Sequence, residues 1–425
     1  MKISKLKTEK RKEVKNVRAM HIQGWGEQND YPQRVLEILF ASPTGASCAS
    51  VYRKFIKGRG FSQEKLYKTV VNGYGETLED VLDKASGDLA HLGAVALHVN
   101  YNALYEVTSV CHVPVEQVRF RELDENFHFD KYAVHPDWGK RYQALRRFRQ
   151  EDIVFFDEFN PDPDVIQKQV DEAGGWNGYK GQLLFWSNEG EGVYPTPLFE
   201  AVLTDMSSEE GLSNVTLRNV RNNFIPAGML IDRDNQAENE QEDQETRKEL
   251  EEFQGDTNSG KLLYLTLRNG EEAPEFKPFD THTTDKDFTE AEAKTPQIIG
   301  RAFQQPPILR AEDVGANFGA DLMRNAYDFY NSITETERDI LSSIFKRVFK
   351  LWHDHTVNPE QEYEILPKVY RVNSTLAERL GANIDKVLEL IFDTTKSRQA
   401  KEVILKKIYG LNDEEVTDLL EGVAL

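Results

Sequence analysis

Residues 283–351 hold the pattern that most restricts what this chain can become. Helical spacing leads up to Phe303, and the double proline of Gln304-Gln305-Pro306-Pro307 stops it. A polar, glycine-bearing loop runs from Arg310 to Gly319, after which helical spacing resumes for roughly 33 residues, a rod of about 50 Å. Its apolar stripe is Leu322, Ala326, Phe329, Ile333, Ile340, Ile344 and Val348, with Phe345, Phe349 and Trp352 beside it. A small globular domain rarely needs so long a helix. A rod with a loop at its start reads as a mechanical part of an assembly rather than the wall of a small pocket.

The segments before it divide into textures. Gly24-Trp25-Gly26 and Asn29-Asp30-Tyr31-Pro32 read as turns. Residues 33–57 are helical but broken near Ser42-Pro43-Thr44-Gly45, and residues 77–92 form an amphipathic helix burying Leu78, Val81, Leu82, Ala85, Leu89 and Leu92. Residues 94–101, 105–113, 118–123, 127–134, 152–159 and 182–187 are short and rich in Val, Phe and Tyr, and predict an antiparallel sheet. Residues 160–181 read as a loop-rich insertion. Thr196-Pro197 offers an N-cap and a proline at the first helical position, opening a helix that runs to about Asn223. Residues 226–280 read as a β-α-β-β module, with strands at 229–231, 261–268 and 275–278 and a hairpin at Asn269-Gly270. Short helices fill 375–421. The expected fold class is α+β and multidomain.

With 425 residues, 39% of them hydrophobic and 10% aromatic, the chain can build real cores. It has no apolar run long enough to span a bilayer and no secretory leader pattern. Two cysteines, Cys48 and Cys111, suit a reducing compartment. A net charge of −20 argues against a general nucleic-acid coat. The charge is uneven: residues 2–18 hold eight Lys/Arg against two Glu, and residues 232–256 hold eleven Asp/Glu against three Lys/Arg.

The search for catalytic chemistry returns failures. Gly255 to Leu262 nearly matches a phosphate-binding loop, but Leu262 stands where a Ser or Thr must hold magnesium, and the loop joins a helix to a strand in the wrong order. Asp232, Asp234 and Gln236 lack the glycine and closing Glu of a calcium loop. His353, Asp354 and His355 are too close in sequence to converge from a helix and have no third ligand. His91 and His98 read as packing or surface residues. No metal, cofactor or enzymatic activity is expected.

The order of parts resembles the portal (head-to-tail connector) proteins of tailed double-stranded DNA bacteriophages. The resemblance covers residues 33–370 and is most specific at Asn222-Asn223-Phe224-Ile225-Pro226-Ala227-Gly228-Met229-Leu230 and at Ile298 to Leu309. It implies a basic N-terminal arm (1–32), a wing (33–196), stem helices (197–223 and 283–303), a clip (224–282), a tunnel loop (304–318), a long wing helix with a return strand (319–371) and a small helical crown (372–425). It implies a homo-oligomeric ring, typically about twelve copies, at one capsid vertex, through which double-stranded DNA is packaged and ejected. The implied partners are the large terminase that drives packaging, head–tail adaptor proteins and the major capsid protein, with no membrane. The implied location is the virion, and the host cytoplasm during assembly. Arg218, Arg221, Lys294 and Arg301 would lie on the stem. Gln304, Gln305, Arg310 and Asn317 would face DNA. Glu242, Glu245, Glu249 and Glu252 would present the clip to the motor and connector. Pro296 departs from the pattern and is expected to kink the second stem helix, or to restart it with Thr295 as cap. The competing expectation is a DNA-packaging or processing enzyme, or a monomeric head-completion adaptor.

Overall fold

The structure is a computed structural model and describes residues 14–122, 129–139, 148–189, 194–221, 228–231, 275–278, 282–310, 320–370, 384–393, 396–409, 416 and 419–420. The chain divides into two compact units, Met1–Lys368 and Val369–Leu425.

The first unit opens with an antiparallel hairpin, β1 (Val14–Val17) and β2 (Ile22–Trp25). Gly24-Trp25 is therefore strand rather than turn, because the Trp25 side chain has a large apolar destination. Its ring is fully buried and stacks on Tyr194 at 4.5 Å between centroids. Helices α1 (Tyr31–Ala41) and α2 (Pro43–Lys57) follow, separated at Ser42 as the proline demands. Ser42 caps α2 by accepting from the amide of Gly45. A short turn, α3 (Glu64–Tyr67), precedes α4 (Leu78–Leu92). The start of α4 is fixed by a reciprocal capping box: Asp80 N donates to Thr77 Oγ1, and Thr77 N donates to Asp80 Oδ2. All six residues of its expected stripe are buried.

Six strands form one sheet: β3 (Ala94–Tyr101), β4 (Val107–His112), β5 (Val118–Phe120), β6 (Lys131–Val134), β7 (Val154–Glu158) and β8 (Gln182–Ser187), in the order β4-β3-β8-β7-β6-β5. The sheet is mixed, not wholly antiparallel, since β7 and β8 run parallel. A parallel pair needs a crossover, and the segment read as loop supplies one: α5 (Pro163–Glu172), capped by Asp162 with Pro163 at its first position.

Arg119 on β5 is wholly buried. Its guanidinium donates to Asn29 Oδ1 (2.5 Å), Asn29 O, Glu116 O and Val118 O, and lies over the rings of Trp25 and Trp138. It ties the N-terminal hairpin to the sheet, and burial pushes its pKa down to about 10.

Helix α6 (Leu203–Arg221) begins after a 3-10 turn at Glu200–Val202, later than Thr196-Pro197 suggests. Strands β9 (Gly228–Ile231) and β10 (Glu275–Pro278) pair antiparallel, Met229 opposite Lys277. The intervening helix and hairpin of the expected module lie outside the described residues. Helix α7 (His282–Ala302) runs without interruption through Pro296, so Thr295 caps no new helix.

The expected rod is two helices, α8 (Ala320–Ile333) and α9 (Glu335–Phe349), interrupted at Thr334. The cause is tertiary. Thr334 Oγ1 donates back to Tyr330 O, and Arg338 donates to Asn331 O (2.5 Å), Thr334 Oγ1 (2.7 Å) and, across the core, Phe55 O (3.1 Å). Asn331 O thus takes a side-chain donor, while Tyr330 O and Thr334 O still accept from the amides of Thr334 and Arg338. The expected return strand is a single antiparallel bridge, Phe61 to Ile365, flanked by backbone bonds to Leu366 and Glu364. The main core draws on α1, α2, α4, the sheet and α9.

The second unit contains α10 (Ile384–Phe392) and α11 (Arg398–Lys407), packed through Val387, Leu390, Ile391 and Leu405.

Candidate functional site

Helices α6 and α7 pack as an antiparallel pair. Phe199, just before α6, stacks on Phe303, just after α7 (5.4 Å), while Thr216 reaches Glu292 further along. The base of this pair is fixed in the core: Met206, Ile299 and Phe303 are fully buried. Glu209 supplies a polar anchor. Its Oε2 accepts from Ser42 Oγ and Thr44 N (3.2 Å), and its Oε1 from Thr44 Oγ1 (2.5 Å). A carboxylate on the free amides of a helix N-terminus also meets the positive end of the helix dipole. The anchor holds α6 against α2.

Beyond Glu209 the pair loses its own core. From Glu210 to Leu217, α6 is exposed apart from a half-buried Leu212, and Val215 and Leu217 are among the exposed residues. Across α6 and α7 there are seven acidic and five basic side chains, so the pair is close to neutral with an acidic excess.

Helix α7 ends in a Schellman motif. Gln305 N donates to Gly300 O, Gln304 N donates to Arg301 O, and Gln304 takes the left-handed conformation with φ of 51°. Glycine is the usual residue there, and a side chain costs about 1–2 kcal/mol. The prolines therefore follow a helix that the two glutamines have already closed. Phe303 O accepts from Tyr330 of α8 (3.1 Å), and Pro307–Arg310 forms a 3-10 turn. The Arg310 guanidinium packs against Gly300, where any Cβ would overlap it, and donates to Gln305 O (3.2 Å).

The sequence-derived site residues separate accordingly. Gln304 is exposed and Arg310 half-buried at the foot of the helical pair, and Asn317 lies outside the described residues. Gln305 is 4% exposed, and neither atom of its amide reaches solvent. Lys294 is exposed and paired with Glu290 (2.8 Å), which raises the lysine pKa, and Arg301 is exposed. Arg218 and Arg221 occupy the last turn of α6. Glu242, Glu245, Glu249 and Glu252 lie outside the described residues, as does the near phosphate loop. Glu209, the strongest polar contact of the pair, went unread in the sequence. Its partners are about 165 residues away, and only the Ser42 cap signal hinted at a helix start needing a partner.

His353 and His355 follow the end of α9; His353 Nδ1 contacts Val107 O, and His355 lies near Glu106. Cys48 and Cys111 are both free thiols. Among the described residues no cluster of His, Cys, Asp or Glu could hold a metal, and no helix is long and apolar enough to cross a membrane.

No protein-family model matches the sequence, and no curated protein matches it. The chain is similar to several solved structures. One is a chain of the virion of a native gene transfer agent particle: 13% identity, 90% of this chain and 93% of that one, TM-score 0.48. A second belongs to the neck of the native particle computed with C12 symmetry: 14% identity, 90% and 93% coverage, TM-score 0.45. A third is an HK97-family phage portal protein from Corynebacterium diphtheriae: 11% identity, 75% and 92% coverage, TM-score 0.39.

Proposed function

We propose that the chain is the structural portal subunit of a tailed-phage-type particle, one of a ring of identical copies around a DNA channel. The observation that carries this reading is the α6–α7 pair: rooted in a core at one end, exposed along α6 from Glu210 to Leu217 apart from Leu212, and neighboured in sequence by a small strand ladder. Two helices in water do not expose Val215 and Leu217 beside so little packing of their own unless neighbours complete the bundle. Copies arranged around an axis supply those neighbours.

The near-neutral surface of the pair suits passage of a polyanion. Tight phosphate contact needs many cations and would arrest sliding. In this reading the exposed Gln304, together with Arg310 and Asn317, forms the loop nearest DNA. Arg218, Arg221, Lys294 and Arg301 set a sparse positive pattern on the stem. The acidic clip, with Glu242, Glu245, Glu249 and Glu252, docks the large terminase during packaging and the head–tail adaptor afterwards, while the wing meets the major capsid protein. The role is mechanical and non-enzymatic, located at a capsid vertex of the virion and in the host cytoplasm during assembly.

Electron microscopy of the purified chain tests this directly. The expected result is a ring with a central hole, of about 590 kDa by light scattering if twelve copies close. A monomer at every concentration would overturn it. Arg310→Ala should change DNA packaging only modestly; abolished packaging with a steep salt dependence would refute the sliding channel.

A further inference from the structure

Helix α2 ends at Gly58, whose amide donates to Lys54 O (3.2 Å). The antiparallel bridge between Phe61 and Ile365, continued in register, brings Lys368 back beside Gly58. The approach is close. A Cβ on Gly58 would overlap Leu366 O, and Arg59 Nε donates to Pro367 O (3.1 Å), the carbonyl that precedes Lys368. Asn331 of α8 then fixes the Lys368 backbone from both sides: its Nδ2 donates to Lys368 O (2.7 Å), and its Oδ1 accepts from Lys368 N (3.1 Å).

Three cations from two separate segments, Lys54, Arg59 and Lys368, are thereby gathered at one end of α2. Lys54 and Arg59 are exposed and Lys368 is half-buried. Among the described residues none of the three is paired with a carboxylate, and the acids Glu79 and Asp83 are taken by Lys57 and Arg53. A chain with 72 acids and 52 Lys/Arg has counterions to spare, yet leaves these three without one. Burial pushes the Lys368 ammonium pKa down, and Lys57 and Lys54 push it further the same way. The dipole of α2 favours cations at this end by about 0.3–1 kcal/mol each, but it does not neutralise three formal charges.

We propose that Lys54, Arg59 and Lys368 form a contact site for the phosphates of double-stranded DNA, placed on the body of the first unit and separate from the α6–α7 pair. The proposal rests on the portal reading for the source of the phosphate, since DNA is the polyanion that every copy of a ring would meet. The chemistry is that of backbone contact: Lys and Arg donors that recognise phosphate oxygens without reading sequence. The site also leaves the sliding surface alone. DNA held here touches neither the stem residues nor the turn after α7, so contact on the body does not require grip in the channel.

The test measures binding of a short DNA duplex to the full chain by fluorescence anisotropy across a salt series. Lys54→Gln/Lys368→Gln is compared with Lys346→Gln/Lys350→Gln, an equal loss of charge at exposed positions in and after the last turn of α9. Removing two phosphate contacts should flatten the slope of log affinity against log salt by at least about 1.8, roughly 60-fold in affinity between 1 M and 0.1 M salt. The α9 variant should bind as the wild type does. Lys54→Gln alone, at an exposed position, should flatten the slope by about 0.9 and guards against misfolding of the double variant. Wild-type chain that does not bind duplex at low salt would overturn the site. Equal weakening in both double variants would do so too, by showing a diffuse charge effect. Polyglutamate that displaces the duplex at equal charge concentration would assign the cations to an acidic protein instead. Mass photometry of the same samples separates the two readings: rings with an unchanged salt slope keep the portal and lose the site, whereas absence of wild-type rings defeats the portal reading itself.

Discussion

Glu209 joins the helical pair to the rest of the fold, and its removal should show how strongly. In Glu209→Ala three hydrogen bonds disappear: those from Ser42 Oγ, Thr44 N and Thr44 Oγ1. The two hydroxyls can turn to water or to local carbonyls, and Ser42 keeps its cap on Gly45 N, so their loss is partly recovered. The Thr44 amide loses an ionised acceptor, worth about 1.5–3 kcal/mol, and the helix end loses a compensating charge worth about 0.3–1 kcal/mol. Allowing for the recovery, the expected loss is about 2–3 kcal/mol. The assay is amide hydrogen exchange at Thr44 and along α6 from Leu203 to Glu210. Protection should fall roughly 30- to 150-fold at Thr44 and fall along α6 as well, with the sheet unaffected. A double-mutant cycle with Thr44→Val should return a coupling of at least about 1 kcal/mol. Loss of protection below threefold, or a coupling near zero, would refute the anchor and leave apolar packing of Met206 and Phe303 as the sole root of the pair.

Gln304→Gly should stabilise the unassembled chain by about 0.5–1 kcal/mol, because left-handed strain is relieved while the unfolded chain gains entropy; a lower melting temperature would contradict the Schellman assignment. Arg338→Leu should destabilise by about 3 kcal/mol, since Phe55 O, Asn331 O and Thr334 Oγ1 lose their donor in the core, and urea denaturation checks it. Burial pushes the His91 imidazole from its ordinary 6.5 down to about 4. Between those values the unfolded chain binds a proton that the folded chain does not, so stability should fall as pH drops from 6.5 to 4, and His91→Phe should flatten that slope by about 3 kcal/mol over the window. Assembly should strengthen as salt rises to about 0.5 M, because copies of net charge −20 repel one another while apolar contacts do not weaken. Rings that dissolve in salt would show ion pairs holding the interface.

The fold was legible wherever a local rule decides. Ser42-Pro43 and the Thr77/Asp80 box mark helix ends within four residues of sequence, and strand texture found all six strands of the sheet. Reading failed where distant groups decide. Nothing near Thr334 announces an interruption, and the Arg338 contact with Phe55 O across the core is invisible in the sequence. The parallel β7–β8 pair depends on α5, whose proline- and glycine-bearing surroundings read as loop, although Asp162-Pro163 is a legitimate helix start. Gln304 hides its left-handed backbone because only glycine or asparagine announces that state in sequence. For the candidate site, the position of the turn after α7 was readable, but the inward rotation of Gln305 depends on that backbone state and was not.

The stripe on α8 explains why periodicity alone misled. Apolar spacing reports that a face will be covered, not by what. On α9 the covering is the chain's own core, and Leu341, Ile344, Phe345 and Val348 are buried. On α8 the same periodicity continues, yet Leu322 and Phe329 stand open beside an unmatched amide. Helix α6 repeats the situation with Val215 and Leu217. Folding removes only part of this apolar surface from water, and Val215, Leu217, Ile298, Leu322 and Phe329 remain exposed on α6, α7 and α8, as other apolar side chains do elsewhere among the described residues. A chain whose purpose ended with its own folding would gain nothing from apolar residues there. In one built to stand among copies, the same residues remain available for the step after folding, when contact with a neighbour removes them from water.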